Sequence, residues 1–448
     1  MLAGALAILI WGPRPDPPVP ADRANDVVLQ YWEKWTGNES ESMQKIVDDF
    51  NNTEGKQKHI YVQYLSMSNI SQKMLTATAA GVPPDVAGLW QDYLAQLAAL
   101  GALEPLDDLA AQHDPPITAS IYKPVYWESC HYDGKLYSLV STPATVALFY
   151  NKDIFAEEAG PLRAAGLDPD RAPRTLQELD AYAKVLDKWE IDSDGNKHLI
   201  RAGYVPMEPG WYINQMSIWF GQDIWDDKAR KFTVNSPAVL NACEWVQSYA
   251  NRLGIDAMNR FAGSNKDFNT PQNPFMSGRV AMEMQGPWMA NFIKHVMPSL
   301  DGHYGVSPFP SAVGMQNVTF CPFDTLMIPA GGKHKKEAFD FIAFVQRQDE
   351  MEKLCSLHCK NSPLAQESPG FIKNHPNPYI QVFEDLASSP NAHGPIQCPI
   401  APAAGTEIQA MYQSMVDLSG TPKTAVADTQ KLLDAKLADY RRKNPEAN

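Results

Sequence analysis

The sequence predicts an α/β protein of two lobes whose chain passes between them more than once. Three observations carry that expectation. From Asp26 short apolar runs alternate with amphipathic helical patterns, a second α/β unit begins after about residue 146, and strand character returns after residue 300. A repeated strand–helix order implies a sheet with helices on both faces. At about 150 residues per domain, 448 residues are enough for two or three cores.

The elements follow in order. Residues 2–11 (LAGALAILIW) are an apolar run ahead of the proline-rich GPRPDPPVP. Ten residues are too few to span a bilayer and fit the hydrophobic region of an export signal, so residues 1–25 are expected to be an export signal and linker. No Lys or Arg precedes the run, no A-x-A site follows it, and no cysteine stands where a lipid anchor would need one. Val27-Val28-Leu29-Gln30-Tyr31-Trp32 reads as a strand, and residues 38–40 as a polar loop. A helix then carries Met43, Ile46, Val47 and Phe50 at helical spacing. Strands are expected at 59–65 and 85–89, and helices at 70–80 and 93–100, the latter capped by Gly101. Further on, extended segments surround Pro143, helices cover 175–189 and 237–253, and strands recur at 279–284 and 324–329. Residues 336–348 and 424–442 are the clearest late helices.

Composition excludes several classes. Thirty-eight Lys and Arg against 52 Asp and Glu leave a net charge of −14, which neither nucleic acid nor an anionic membrane would attract. No GxGxxG, P-loop, GxSxG or HExxH sequence occurs. Asp192-Ser-Asp194-Gly-Asn196 has a calcium-like start, but Lys197 and Gly203 stand where such a loop needs Gly and an acid, so it reads as an Asx turn. The six cysteines (Cys130, Cys243, Cys321, Cys355, Cys359 and Cys398) show no metal-binding spacing; an even count permits three disulfides in an exported chain without choosing among the pairings. No cofactor and no metal site is expected.

Eleven tryptophans are the more informative count. Trp35 follows the first strand, Trp90 the third, Trp211 lies in a loop and Trp288 follows a later strand in Gly286-Pro-Trp288. Ligands of open α/β sheets bind outside the carboxyl ends of strands. An indole there can stack on the C–H face of a pyranose while Gln91, Asp92 and Asp324 bond its hydroxyls. Trp189, Trp219 and Trp245 fall within helical patterns and read as core.

Several motifs in register then identify a resemblance. Ala79-Ala-Gly-Val-Pro-Pro-Asp-Val86 is similar to "aaG-x-x-PDV", and Gly101-Ala-Leu-Glu-Pro-Leu-Asp-Asp108 to "G-x-L-x-PLdd". Asp133-Gly-Lys-Leu-Tyr137 with Leu148-Phe-Tyr-Asn-Lys-Asp-Ile-Phe155 resembles "DGKlYglP … lyYNkdlF". Phe275-Met-Ser-Gly-Arg-Val-Ala-Met282 with Gly286-Pro-Trp288 resembles "F-x-x-GkaAM … GpW", and Glu337-Ala-Phe-Asp-Phe341 resembles "EaAwkFl". In order, these run over nearly the whole chain from Asp26. They are the motifs of the extracellular solute-binding proteins of ABC transporters, family 1, the maltose- and glycerol-phosphate-binding type.

The resemblance implies a two-lobed periplasmic-binding-protein (Venus flytrap) fold with multiple hinge crossings. The implied division is an N-lobe of 26–145 plus 308–346 and a C-lobe of 146–307 plus 347–448, with hinges near 144–148, 307–310 and 345–349. Trp90 and Asp92 take the aromatic and acidic places after the PDV motif, Trp211 and Trp288 the aromatic places on the facing lobe, and Glu407 a late ligand position. Ala144 stands where relatives have a polar residue, which leaves hydroxyl contacts to Thr142 or Thr145. The implied function is a periplasmic or extracellular monomer that captures a sugar or oligosaccharide by hinge closure and feeds the permease subunits of an ABC importer. Two rivals remain open. A secreted carbohydrate-active hydrolase would need two carboxyls across one bond, and a receptor for a non-sugar such as glycerol phosphate would need Arg or Lys in the cleft. No loop named above carries a basic cluster, although Lys34 stays available.

Overall fold

The structure, a computed structural model, describes residues 19–262 and 269–445. The apolar run 2–11 lies outside the described residues. The folded body begins a little before Asp26, with the turn Ala21–Arg23. Arg23 is buried and donates to the carbonyls of Asn51 (2.5 Å) and Ile60 (2.6 Å), so this end of the expected linker is fastened to the first lobe.

The first sheet has the order Ile60–Ser66, Val27–Glu33, Val86–Trp90, Phe323–Met327, Leu139–Pro143. Val27–Glu33 pairs in parallel with both of its neighbours, as strands joined by helical crossovers must. Phe323–Met327 arrives from the other lobe and inserts antiparallel between Val86–Trp90 and Leu139–Pro143. The helix Gly37–Asn52 includes the stretch expected as a loop at 38–40. It buries Met43, Ile46, Val47 and Phe50, each worth about 1.5–3 kcal/mol when fully removed from water.

The second sheet runs Tyr304–Ser307, Ala147–Asn151, Val280–Gln285, Lys197–Tyr204, Lys188–Ile191. The helix expected at 175–189 stops at Leu186, with the Thr175 side chain capping its start. Trp189 therefore sits on an edge strand, partly buried, with the Lys197 ammonium 4.3 Å from its ring centre. Trp219 and Trp245 are buried in the second core.

Three segments cross between the lobes side by side. The Val146 N–H donates to the Phe320 carbonyl at 3.0 Å, and the Cys321 N–H to the His393 carbonyl at 2.8 Å. Thr319–Phe320 pairs in parallel with Ala392–His393. The second crossing thus falls near 320–321 and not at 307–310, because Phe309, Val318 and Phe320 pack in the second core, which also makes the expected N-lobe boundary at 308 too early. The third falls near 392–393 and not at 345–349. The reason is packing: the helix Gln348–Leu357 places Met351, Leu354 and Cys355 in the first-lobe core, so the expected C-lobe boundary at 347 is too early. All six cysteines are buried free thiols. The Asp192 carboxylate accepts from the backbone of Asp194 (3.0 Å) and Asn196 (2.8 Å), as an Asx turn does. No helix among the described residues is long and apolar enough to cross a membrane.

Candidate functional site: the cleft between the lobes

A cleft of about 770 Å³ opens between the lobes where the carboxyl ends of Val27–Glu33 and Val86–Trp90 meet the start of Phe323–Met327. That is the sheet edge at which open α/β folds place their ligands. The antiparallel register brings Asp324 opposite both Trp90 and Thr142, so residues far apart in the chain share one wall.

The first-lobe wall is a buried charge network. Asp324 Oδ1 lies 2.6 Å from Lys34 Nζ and Oδ2 lies 3.0 Å from Lys360 Nζ. The Thr142 hydroxyl donates to Asp324 Oδ2 at 3.0 Å and accepts from Lys360 at 2.9 Å. Burial opposes ionisation of Asp324, but the two ammonium groups overcome it and hold the carboxyl well below the usual range. Glu39, in the first turn of its helix, stands 3.7 Å from Lys360 and 3.6 Å from His358. Burial again works against the charge, and Lys360 and His358 hold Glu39 down at about 2. Lys34 and Lys360 are therefore charge-matched by Asp324 and Glu39.

Indoles enclose these ammonium groups. Lys34 Nζ lies 4.7 Å from the Trp35 ring centre and 5.2 Å from that of Trp90; Lys360 Nζ lies 5.5 Å from Trp35 and 5.6 Å from Trp288. Below Lys34, Glu33 accepts from the Tyr31 hydroxyl at 2.5 Å, and burial raises its pKa. Gly88, the register partner of Glu33, makes room for it, since a Cβ there would stand 1.8 Å from Glu33 Oε2.

The second-lobe wall is aromatic and uncharged. Trp211 and Trp288 approach at 6.4 Å between ring centres with planes 37° apart. Trp288 folds back over Gly286, where any Cβ would meet the indole at 2.1 Å, so the Gly-Pro-Trp sequence is a steric requirement. Tyr212, Asn214, Gln215 and Phe292 extend this wall, and Thr406 and Gln409 join it from the helix Ala401–Val416.

Of the sequence-predicted site residues, Trp35, Trp90, Asp92, Trp211, Trp288 and Asp324 line the cleft. Trp90 is 49% exposed and Trp211 37%, unusual for indoles in a folded chain, whereas Trp35 is buried against His358 at 4.6 Å. Enclosure and the neighbouring Asp324 charge raise the Asp92 carboxyl. Four expectations fail geometrically. Gln91 is buried and donates to the Ser129 carbonyl at 3.0 Å. Thr142 lies beneath the wall, engaged by Asp324 and Lys360. Thr145 is buried in a crossing segment and bonds the Tyr126 hydroxyl at 2.7 Å. Glu407 pairs with Lys436 at 3.1 Å and does not line the cleft, although Thr406 and Ile408 on either side do.

Sequence reasoning missed Glu39 and Lys360, and with them the basic cluster it reported as absent. Glu39 carried one legible signal, an acid in the first turn of a helix that follows a strand. Lys360 carried none: it follows Cys359, whose left-handed backbone (φ +57°) ends a helix, and no periodicity marks such a position.

Comparisons with known proteins agree with this architecture. Residues 36–352 match the family described as bacterial extracellular solute-binding protein. The maltotriose-binding protein of Pyrococcus abyssi (strain GE5 / Orsay) is 23% identical over 352 residues, spanning 77% of this chain and 68% of that protein. The sn-glycerol-3-phosphate-binding periplasmic protein of Yersinia pestis is 27% identical over 203 residues, spanning 44% of this chain and 42% of its own length. Among solved structures, CpMnBP1 with mannobiose bound superposes with a TM-score of 0.76 at 27% identity, covering 91% of this chain and 99% of that one. The same protein with mannotriose bound gives 0.74 at 28%, with the same coverage.

Proposed function

The chain belongs to the bacterial extracellular solute-binding proteins, and from that premise we propose that it captures a short, uncharged oligosaccharide between its lobes and presents it to the membrane subunits of an ABC importer. The observation that carries this reading is the division of the cleft into a charge-balanced wall and an aromatic wall. Stacking of C–H faces on Trp90, Trp211 and Trp288 supplies binding energy without selecting for charge, while Asp92 and the amides of Asn214 and Gln215 offer hydroxyl partners. A cleft of about 770 Å³ is in the range that encloses a drug-sized solute. The mannobiose and mannotriose complexes of CpMnBP1 make those sugars the first ligands to test.

The rivals fare less well. A phosphate calls for uncommitted Arg or Lys, yet no arginine lines the cleft among the described residues, and Asp324 and Glu39 balance both lysines. A hydrolase needs carboxyls on opposite sides of one bond; Glu39, Asp92 and Asp324 all stand on the first-lobe wall. The family's members are binding proteins, and the same role without turnover, as an exported monomer, is part of the proposal.

Capture is by hinge closure about the three crossing segments, which buries the aromatic wall against the solute only in the closed state. Thermal shift with mannobiose, mannotriose, maltotriose and sn-glycerol 3-phosphate, paired with solution scattering, tests it. A neutral oligosaccharide should stabilise the protein, by about 2.7 kcal/mol at a hundred times its Kd, and compact it. Stabilisation by glycerol phosphate alone, or no compaction with any sugar, would overturn it.

A further inference from the structure

Two hairpin tips, one from each lobe, meet outside the cleft. In the first lobe His131–Tyr132 pairs with Lys135–Leu136 through the turn Asp133-Gly134. Both turn residues have positive φ (+50° and +76°), the type I′ pattern for which Asp-Gly is suited. This is the start of the Asp133-Gly-Lys-Leu-Tyr137 motif, which the cleft does not use. In the second lobe Trp225–Asp226 pairs with Lys231–Phe232, and Arg230, at φ +48°, stands at its turn. Trp225 and Phe232 root that hairpin in the second core, and Tyr132 roots the other in the first lobe beside Leu94 and Leu103.

The tips are joined by the Arg230 guanidinium. Its Nη1 donates to Asp133 Oδ1 at 2.8 Å and its Nη2 to the Tyr132 hydroxyl at 3.3 Å, with the cation 5.9 Å from the Tyr132 ring centre. The Arg230 carbonyl accepts from Arg441 on the helix Pro422–Lys443 at 2.5 Å, which fixes the tip from behind. Neither Asp133 nor Arg230 lines the cleft.

We propose that Asp133 and Arg230 form an inter-lobe latch that holds the closed arrangement and sets the rate of solute release without touching the solute. Opening the hinge separates the tips and hands both charges to water, so the pair contributes to the closed state alone. Rooted hairpins keep the ordering cost of the contact low, whereas two long free side chains would lose more freedom. Because Asp133 is exposed and Arg230 partly so, the effect of the pair is modest and falls with salt.

The consequence for release rests on the capture reading, but the latch itself can be measured without ligand. Dyes on the full chain at Val82→Cys and Ile191→Cys, exposed positions on opposite lobes, report the open fraction by single-molecule distance measurement. Asp133→Asn keeps a residue that tolerates the left-handed turn and removes the charge; Arg230→Gln removes its partner. Each is expected to raise the open-to-closed ratio about two- to fivefold at low salt, with a matching rise in the dissociation rate of any bound oligosaccharide. High salt should reproduce the shift in the unsubstituted protein and add nothing in the variants, and Arg230→Lys should restore part of it. An unchanged ratio in both variants, or a shift that is independent of salt, would overturn the latch. If the distances shift as expected while no oligosaccharide binds, the latch stands and the ligand reading falls.

Discussion

The two walls of the cleft are built on different principles. On the first lobe Lys34, Asp324, Lys360 and Glu39 form a network closed within that lobe's own wall, complete before any solute arrives. On the second lobe Trp211 and Trp288 present indoles with neutral amides beside them and, among the described residues, no charged side chain of their own lobe lining the cleft, while Lys360 of the first lobe reaches to 5.6 Å from the Trp288 ring centre. The difference has a physical rationale. A charge pair split between the two cleft walls would be desolvated at each closure, and the desolvation penalty of a buried pair can exceed its attraction. Confining the buried cleft charges to one wall meets that cost once, on folding; the Asp133–Arg230 pair between the lobes lies outside the cleft and keeps its contact with solvent.

The largest expected effect breaks the charged wall. Asp324→Asn leaves two buried ammonium groups facing an amide, and removing one partner of a buried pair costs about 3–5 kcal/mol. At about 2–4 °C per kcal/mol, the Tm should fall by on the order of 10 °C, and binding should go with it. The pH dependence sharpens the same point. Glu39 and Asp324 have folded-state values below their unfolded ones, so their stabilisation is present above the unfolded pKa and is lost as pH falls through the folded one. For Glu39 the loss runs from about 4.5 to about 2. Thermal melts across that acid range should be flatter in Asp324→Asn than in the unsubstituted protein. Equal slopes would mean that the network is not electrostatically coupled to folding.

Breaking the aromatic wall should look different. Trp211 is 37% exposed, so Trp211→Ala should leave Tm nearly unchanged while weakening oligosaccharide binding by roughly 1–2 kcal/mol, about 5- to 30-fold. Calorimetric titration beside a melting curve separates the outcomes. A large drop in Tm with little change in affinity would make Trp211 a packing residue and dissolve the contrast between the walls.

That contrast was only half legible in the sequence. The aromatic wall could be read because loop positions for Trp211 and Trp288 conflict with core spacing, as the strand-end position of Trp90 does on the facing first lobe, and a conflict between residue type and position points to a surface use. The charged wall could be read only in part. The sequence marks Asp324 as a hydroxyl partner and Lys34 as an available cation, but their pairing depends on a strand inserted antiparallel from the other lobe. Lys360, which reaches the wall through a helix end after Cys359, carried no signal, and both features are products of tertiary packing. The same gap explains the misplaced crossing at 345–349. Local pattern shows that 336–348 is helical, but the docking of Met351, Leu354 and Cys355 on the first core depends on contacts hundreds of residues apart.

The smallest expected effect tests whether the second-lobe wall is free of charge in function as well as in geometry. Glu407 lies on the cleft-lining helix Ala401–Val416, where the family resemblance implies a ligand position. Each helical residue turns about 100° from the last, so Thr406, Ile408 and Gln409 can reach the cleft while Glu407 lies off the wall, 3.1 Å from Lys436. That pair is partly exposed, and such pairs contribute about 0–1 kcal/mol. Glu407→Gln should therefore leave oligosaccharide affinity within about twofold and stability within about 0.5 kcal/mol, whereas Gln409→Ala on the same helix should weaken binding measurably. A tenfold loss of affinity in Glu407→Gln, with Tm unchanged, would put a carboxylate on the aromatic wall in the closed complex. Charge would then be shared across the cleft, and the division of labour between the lobes would fail at its weakest point.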